Sequence, residues 1–215
     1  MPWIPRPLGS NLCYHVRVQC NNRAFRFETS SDFEHYLDLL TDIKQRCGFL
    51  LHHYALMSTH VHLIVTTPGP ILLDRIMQSL NRRYARNYHK RNNRSGHFWM
   101  HGYRCSVIDT DTYALACMRY LDRNAIRAKL VTDPSEWPWC THQFYAFGTP
   151  NALLTVHEAY LGLASDPSTR CAIYRDFVMG LLPSDETREG VLIQEALHQW
   201  KNQRVEKKRR NYVTR

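Results

Sequence analysis

Several features that would place this chain in a familiar class are missing from its sequence. It has no apolar run long enough to cross a membrane, and its start, Met1-Pro2-Trp3-Ile4-Pro5, lacks the basic-then-apolar order of a signal peptide. The 7 cysteines form no Cys-x-x-Cys pair, and their scatter favours neither a zinc knuckle nor a disulfide framework. No Gly-rich nucleotide-binding loop is present. We therefore expect a cytoplasmic protein with reduced thiols and no membrane partner.

Acidic residues are also in short supply. The chain has 28 Lys and Arg against 19 Asp and Glu, which gives a formal net charge of +9. A surplus of this size predicts a polyanionic partner, and nucleic acid is favoured over an anionic membrane surface. No acidic residue lies between Asp74 and Asp109, a stretch whose basic residues are Arg75, Arg82, Arg83, Arg86, Lys90, Arg91, Arg94 and Arg104.

Aromatic residues, among them Tyr84, Tyr88 and Trp99, are interleaved with these basic residues. Arginines bind phosphates and aromatic rings stack on unpaired bases, so the stretch predicts a groove for single-stranded DNA. The alternative is a solvated helix face whose aromatic residues belong to the core.

The periodicity of the apolar residues predicts the fold. Strands are expected at 14–20, 49–57 and 60–66 and before 108, and helices at 31–46, 72–91 and from Asp109 or Asp111 to about Leu130. This order is that of the split βαβ motif, so we predict an α+β, ferredoxin-like antiparallel sheet with helices on one face. We expect a domain over 1–148 and a helical extension over 149–215, whose last residues form a basic tail.

The strongest local signal for chemistry is His60-Val61-His62. Residues two apart on a strand point to the same face, so the two imidazoles would project together and could share one metal ion. The alternative is a pair of exposed strand histidines without a ligand.

The last predicted helix adds two candidates. Tyr120 and Asn124 are four apart and lie on one helical face, where Tyr120 offers a nucleophilic phenol and Asn124 a third metal ligand. Taken singly, either residue fits an ordinary structural role. Three further basic residues stand beside this pair, and we assign them to DNA binding: Arg119, Arg123 and Arg127.

In combination, these stretches resemble the REP-associated tyrosine transposases, a branch of the single-tyrosine HUH transposase superfamily. The matching segments are Tyr14-His15-Val16, Met57-Ser58-Thr59-His60-Val61-His62-Leu63, Leu80-Asn81-Arg82-Arg83-Tyr84, Gly96-His97-Phe98-Trp99, Arg119-Tyr120-Leu121 with Asn124, and Trp137-Pro138-Trp139. They occur in order over roughly residues 10–148, the predicted HUH transposase domain.

The resemblance implies specific roles. Tyr120 would be the nucleophile that forms a 5′-phosphotyrosine and releases a 3′ hydroxyl, and His60, His62 and Asn124 would bind Mg²⁺ or Mn²⁺. The substrate would be single-stranded or hairpin (REP-like) DNA. The host would be a bacterium, in which the DNA-bound protein is associated with the nucleoid. The protein would be a monomer or a homodimer, and the monomer is favoured.

The sequence departs from the family pattern near both site segments. Ser58-Thr59 stands where the family usually has Pro-Asn, and Ala125 and Lys129 stand where it usually has Pro and Gly. We expect these last two changes to let the helix continue further. Two alternatives stay open: a DNA-binding protein of this fold that has lost catalysis, and a metal-dependent phosphodiesterase that releases its product by hydrolysis.

Overall fold

A four-stranded antiparallel sheet organises the protein, and the computed structural model describes residues 8–180. The strands are β1 (Leu12–Gln19), β2 (Leu50–Met57), β3 (His60–Thr67) and β4 (Arg104–Ile108). They lie in the order β2-β3-β1-β4, which the split βαβ connectivity requires. The predicted α+β, ferredoxin-like fold is therefore confirmed.

Seven α-helices accompany the sheet in residues 8–180. They are α1 (Ser30–Cys47), α2 (Leu73–Asn92), α3 (Asp111–Asp122), α4 (Asn124–Arg127), α5 (His142–Phe147), α6 (Glu158–Leu161) and α7 (Pro167–Met179). The two long helices of the split βαβ unit, α1 and α2, each connect strands that are not neighbours in the sheet.

Helices cover both faces of the sheet. Val61, Leu63 and Val65 of β3 share one core with α1 and α2, as the expectation of helices on one face requires. The alternate residue Ile64 belongs to a second core that includes residues of α3, α5, α6 and α7. The second layer corrects the one-face detail of the prediction, because apolar side chains on that face also need cover from water.

The helix that carries Tyr120 begins and ends differently from the prediction. Thr110, rather than Asp109 or Asp111, caps its start, since the Thr110 hydroxyl accepts a hydrogen bond from the Tyr113 amide at 3.2 Å. The helix does not continue to Leu130: it is interrupted at Arg123, and α4 ends at Arg127. Lys129 then adopts a left-handed conformation (φ 58°), at the position where glycine was expected from the family pattern.

The described part of the predicted extension contains the helices α6 and α7, which pack into the second core. Tyr160 and Tyr174 contact the ring of Tyr145 at centroid distances of 4.7 and 5.4 Å. The boundary at 148/149 stays a prediction, and the predicted basic tail lies outside the described residues. Within residues 8–180, no helix has the length and apolar character needed to span a bilayer.

Candidate active site

The register of the sheet gathers polar residues on the face covered by α3. His62 lies opposite Arg17 of β1, and His60 lies opposite Gln19. Side chains of directly opposed residues project to the same face, and so do residues two apart on one strand. His15, His60, His62 and Arg17 therefore share this face, and the imidazole centroids of His60 and His62 are 5.0 Å apart.

Each histidine of the pair uses its Nδ1 atom for a contact with a neighbour. His62 Nδ1 lies 2.8 Å from Nε2 of His15, and His60 Nδ1 lies 2.9 Å from the hydroxyl of Thr59. The remaining nitrogen of His62, Nε2, is buried and has no hydrogen-bond partner among the described residues. A buried nitrogen in this condition is costly unless a ligand satisfies it.

Helix α3 brings Tyr120 over the same face. The Tyr120 ring lies edge-on to His62 and to His15, at centroid distances of 5.6 and 6.2 Å. It is half-buried, and the guanidinium of Arg127 stands 4.8 Å from its centroid. The structure therefore places the candidate nucleophile and the histidine pair at one site.

Asn124 completes this group despite the interruption at Arg123. Its Nδ2 donates to the Tyr120 carbonyl at 2.9 Å, which fixes the amide and leaves its Oδ1 for other partners. Its side chain also interacts with His60, and this interaction raises the pKa of that imidazole. The three candidate ligands and the candidate nucleophile therefore lie at one site.

Burial keeps the imidazoles uncharged. It lowers the pKa of His60 to about 4, with a further contribution from the charge of Arg17. Burial likewise lowers the pKa of His15 to about 4 and holds the pKa of His62 well below its usual value. Neutral imidazole is the form that binds metal ions.

The residues of the site fit a divalent ion that takes most of its ligands from water and from phosphate oxygens. Residues 8–180 contain no group of three His, Cys, Asp or Glu arranged to hold a metal. The available donors are two imidazoles and the Asn124 amide oxygen. The unpartnered Nε2 of His62 suits a metal, whose other positions would be filled by water and phosphate oxygens.

A family model described as "Transposase IS200 like" matches residues 9–124, which span the whole sheet, Tyr120 and Asn124. This is more than half of the chain. The protein belongs to the IS200-like transposase family. It is accordingly a transposase, a DNA-processing enzyme, which agrees with the resemblance found in the sequence.

Two solved structures are similar to this transposase. The REP-associated tyrosine transposase bound to a REP hairpin has a TM-score of 0.56 and 18% identity, over 73% of this chain and 93% of the other. That likeness supports the fold. A transposase candidate from Deinococcus radiodurans has a TM-score of 0.41 and 19% identity, over 53% and 91% of the two chains. No curated protein matches the transposase.

The basic residues of α2 lie on the opposite side of the sheet from the histidines. The buried side of α2, including Leu80 and Tyr84, packs in the same core as Val61 and Leu63, so its outer side faces away from Tyr120. The exposed members are Arg75, Arg82, Arg86, Lys90 and Arg91. They therefore do not line one groove with Tyr120 and the histidine pair.

Four of the predicted DNA-binding arginines are already engaged within the protein. Arg83 forms an ion pair with Asp42, and Arg91 pairs with Asp32 at 3.1 Å. Arg119 and Arg123, on the same helical segment as Tyr120, instead bind backbone carbonyls at the end of α7.

Arg119 is only 2% exposed, and it donates to the carbonyls of Phe177 and Gly180, each at 2.7 Å. Arg123 donates to the carbonyl of Val178 at 2.8 Å. The burial of the Arg119 guanidinium and its two carbonyl partners argue against a phosphate contact, and the assignment of Arg119 to DNA binding stays a prediction.

Two residues of β1 belong to the site and were missed in the sequence. Arg17 influences the charge states of His60 and His62 and interacts electrostatically with Tyr120, and His15 contacts His62 directly. The exposed Arg104 of β4 lies opposite Arg17 and adds charge at the same edge. The alternation of polar residues in His15-Val16-Arg17-Val18-Gln19 is the signal that could have indicated a polar strand face.

Proposed function

We propose that this transposase cleaves and rejoins single-stranded DNA through a covalent bond to Tyr120, with Mg²⁺ or Mn²⁺ bound by His60, His62 and Asn124. One observation carries the proposal: the Tyr120 ring lies 5.6 Å from the ring of His62, whose buried Nε2 has no partner among the described residues. A nucleophile and a candidate metal ligand thus face one space beside a half-buried arginine, Arg17.

The chemistry of a phosphodiester explains each component. The bound ion would offset the charge of the phosphate oxygens and orient the phosphorus. The Tyr120 oxygen forms a bond to phosphorus and loses its proton, the bond from phosphorus to the 3′ oxygen breaks, and that oxygen takes a proton to become a 3′ hydroxyl. The resulting 5′-phosphotyrosine conserves the energy of the bond, so rejoining needs no nucleotide cofactor.

Two arginines would assist Tyr120. A free tyrosine has a pKa of about 10 and attacks poorly at neutral pH without help from its surroundings. Arg127 stands over its ring and Arg17 interacts with it electrostatically. Both charges would help to offset the negative charge of the phosphate at which Tyr120 reacts.

We propose hairpin DNA with adjoining single-stranded segments as the substrate. The similar solved structure is that of a transposase bound to a REP hairpin, and the basic surface of this chain suits a polyanion. We propose that the protein acts as a monomer, because α3 is bound to its own chain by Arg119 and Arg123 through the carbonyls of α7.

Trapping a covalent adduct tests the reaction. The protein would be incubated with a 5′- and 3′-labelled single-stranded hairpin and Mg²⁺ or Mn²⁺, denatured, and separated by electrophoresis. We expect an adduct that carries the label of the DNA 3′ to the cut, and its complete loss in Tyr120→Phe. Tyr113→Phe is the matched control, since Tyr113 lies on the same helix and hydrogen bonds to Ser106.

The other outcomes identify the alternatives. An adduct that persists in Tyr120→Phe would exclude Tyr120 as the nucleophile. Hairpin binding without cleavage would favour a DNA-binding protein that has lost catalysis, and cleavage without an adduct would favour a hydrolytic phosphodiesterase. His60→Ala and His62→Ala should abolish cleavage but preserve most of the salt-sensitive DNA binding, because that binding comes from the basic residues.

A further inference from the structure

His15 lies behind the histidine pair, on the strand next to it. Its Nε2 is 2.8 Å from Nδ1 of His62, and the two ring planes are nearly parallel (20°) with their centroids 5.1 Å apart. The short contact between the nitrogens at this centroid distance means that the rings lie edge to edge, nearly in one plane. Both side chains are buried, with His15 8% and His62 1% exposed. Little water therefore competes for the contact between the two nitrogens.

The proton in this contact has two possible positions. If it sits on His15 Nε2, then neutral His62 carries its own proton on Nε2, where the buried N–H has no acceptor among the described residues. If it sits on His62 Nδ1, then His62 donates to His15 and its Nε2 keeps a lone pair. The first arrangement leaves the buried N–H at His62 Nε2 without an acceptor and blocks metal binding at that nitrogen. The second leaves His62 Nε2 free to bind a metal ion.

We propose that His15 is a positioning residue that accepts a hydrogen bond from His62 Nδ1 and thereby presents His62 Nε2 to the metal. The inference rests on the proposed function, because it assigns His62 as a ligand. The hydrogen bond lies nearly in the plane of both rings, so it also fixes the orientation of the His62 ring. Partners of this kind behind a metal-binding histidine typically contribute ~10–100-fold to metal affinity.

His60 has an analogous but weaker partner in Thr59, whose hydroxyl lies 2.9 Å from His60 Nδ1. A hydroxyl rotates and can donate or accept, so it does not select one tautomer as an imidazole acceptor can. We therefore expect the metal affinity to depend more on His15 than on Thr59.

The tautomer can be measured directly on the unaltered chain. Long-range ¹H–¹⁵N NMR spectra distinguish the protonated from the unprotonated imidazole nitrogen. We expect His62 to be protonated at Nδ1 and unprotonated at Nε2 before any metal or DNA is added. A proton on Nε2 would overturn the proposal. Because this measurement involves no cleavage, it is independent of the adduct assay that tests Tyr120.

Two variants separate positioning from packing. His15→Gln retains an oxygen that can accept from His62 Nδ1, whereas His15→Phe retains an aromatic ring of similar shape but no acceptor. We expect His15→Phe to lose ~10–100-fold in Mn²⁺ affinity, measured by electron paramagnetic resonance of free Mn²⁺, and His15→Gln to recover most of it. Equal Mn²⁺ affinity in the two variants would overturn the proposal.

His52→Gln is the matched control. His52 is also a buried strand histidine, but it hydrogen bonds to Thr66 and to the Thr155 carbonyl, away from Tyr120. We expect its Mn²⁺ affinity to equal that of the unaltered protein. A loss in His52→Gln equal to that in His15→Phe would show a general effect on folding and would overturn the assignment to His15.

Discussion

The two faces of the sheet bury different kinds of side chain. The face covered by α1 and α2 is filled by aromatic and aliphatic groups, such as Phe27, Tyr36 and Tyr84, whose ring centroids lie within 6 Å of one another. The face covered by α3 buries His15, His53, His62, Asp122, Asn124 and His142. The first face is therefore held mainly by apolar packing, whereas the second combines an apolar core with specific polar contacts.

The polar contacts of the second face converge on Asp122, two residues from Tyr120. Its carboxylate accepts from Tyr174 at 2.8 Å and lies 2.9 Å from His142 Nδ1 and 3.1 Å from His53 Nε2. Burial opposes its ionisation, but the two histidines outweigh that effect and hold the pKa of Asp122 at about 2. One carboxylate thus links the tyrosine helix α3 to β2, α5 and α7.

Breaking this network is expected to give the largest effect. Asp122→Ala would leave His53, His142 and Tyr174 without their partner in the core, and each buried polar group that loses its partner costs about 1–3 kcal/mol of unfolding free energy. Urea denaturation followed by circular dichroism measures this loss. The control is Asp38→Ala on the exposed side of α1, where a change within about 0.5 kcal/mol is expected. A loss below about 1 kcal/mol in Asp122→Ala would show that apolar packing dominates on both faces.

The contrast between the faces also explains what the sequence could predict. The strands, α1, α2 and the His60–His62 pair follow from local periodicity, because a period of two or of 3.6 residues assigns each side chain to a face. The roles of His15 and Arg17 could not be predicted in this way, since they depend on which strand is the neighbour of β3. The Asp122 network joins residues that are 20 to 69 positions apart in the chain, and local patterns contain no information on such contacts.

Charge proved the least reliable signal for the site. In the sequence, Arg119 and the basic residues of α2 contribute alike to the positive net charge. In the structure, Arg119 is buried, and α2 covers the face opposite Tyr120. Composition counts charges without placing them. An arginine can equally bind a phosphate or the carbonyls at a helix C-terminus, as Arg119 does at α7.

Replacing Arg119 gives an intermediate effect that distinguishes these two uses. Arg119→Met keeps most of the side-chain volume but removes the charged hydrogen bonds to Phe177 and Gly180, so we expect a loss of about 1.5–3 kcal/mol of unfolding free energy. Hairpin binding by the folded protein should keep its salt dependence. Arg86→Met, on the exposed side of α2, is the matched control and should leave stability unchanged. A reduced salt dependence in Arg119→Met would restore Arg119 as a phosphate contact.

The smallest effect on stability is expected for the outer stripe of α2. Arg82, Arg86 and Lys90 are spaced by four residues and are exposed, so replacing all three by Gln should change the unfolding free energy by no more than about 0.5 kcal/mol. If the stripe contacts DNA phosphates, hairpin affinity falls, and the slope of log K against log[salt] becomes less negative by up to about 0.9 per lost contact. Fluorescence anisotropy across a salt series measures that slope.

The same triple variant separates binding from chemistry. Because α2 lies on the face opposite Tyr120, the rate of adduct formation at saturating DNA should equal that of the unaltered protein. Arg104→Gln, at the edge beside Arg17, is the comparison from the other face, and we expect it to lower that rate. An unchanged salt slope in the triple variant would mean that the outer side of α2 is a solvated helix face, and DNA binding would then belong to the histidine face.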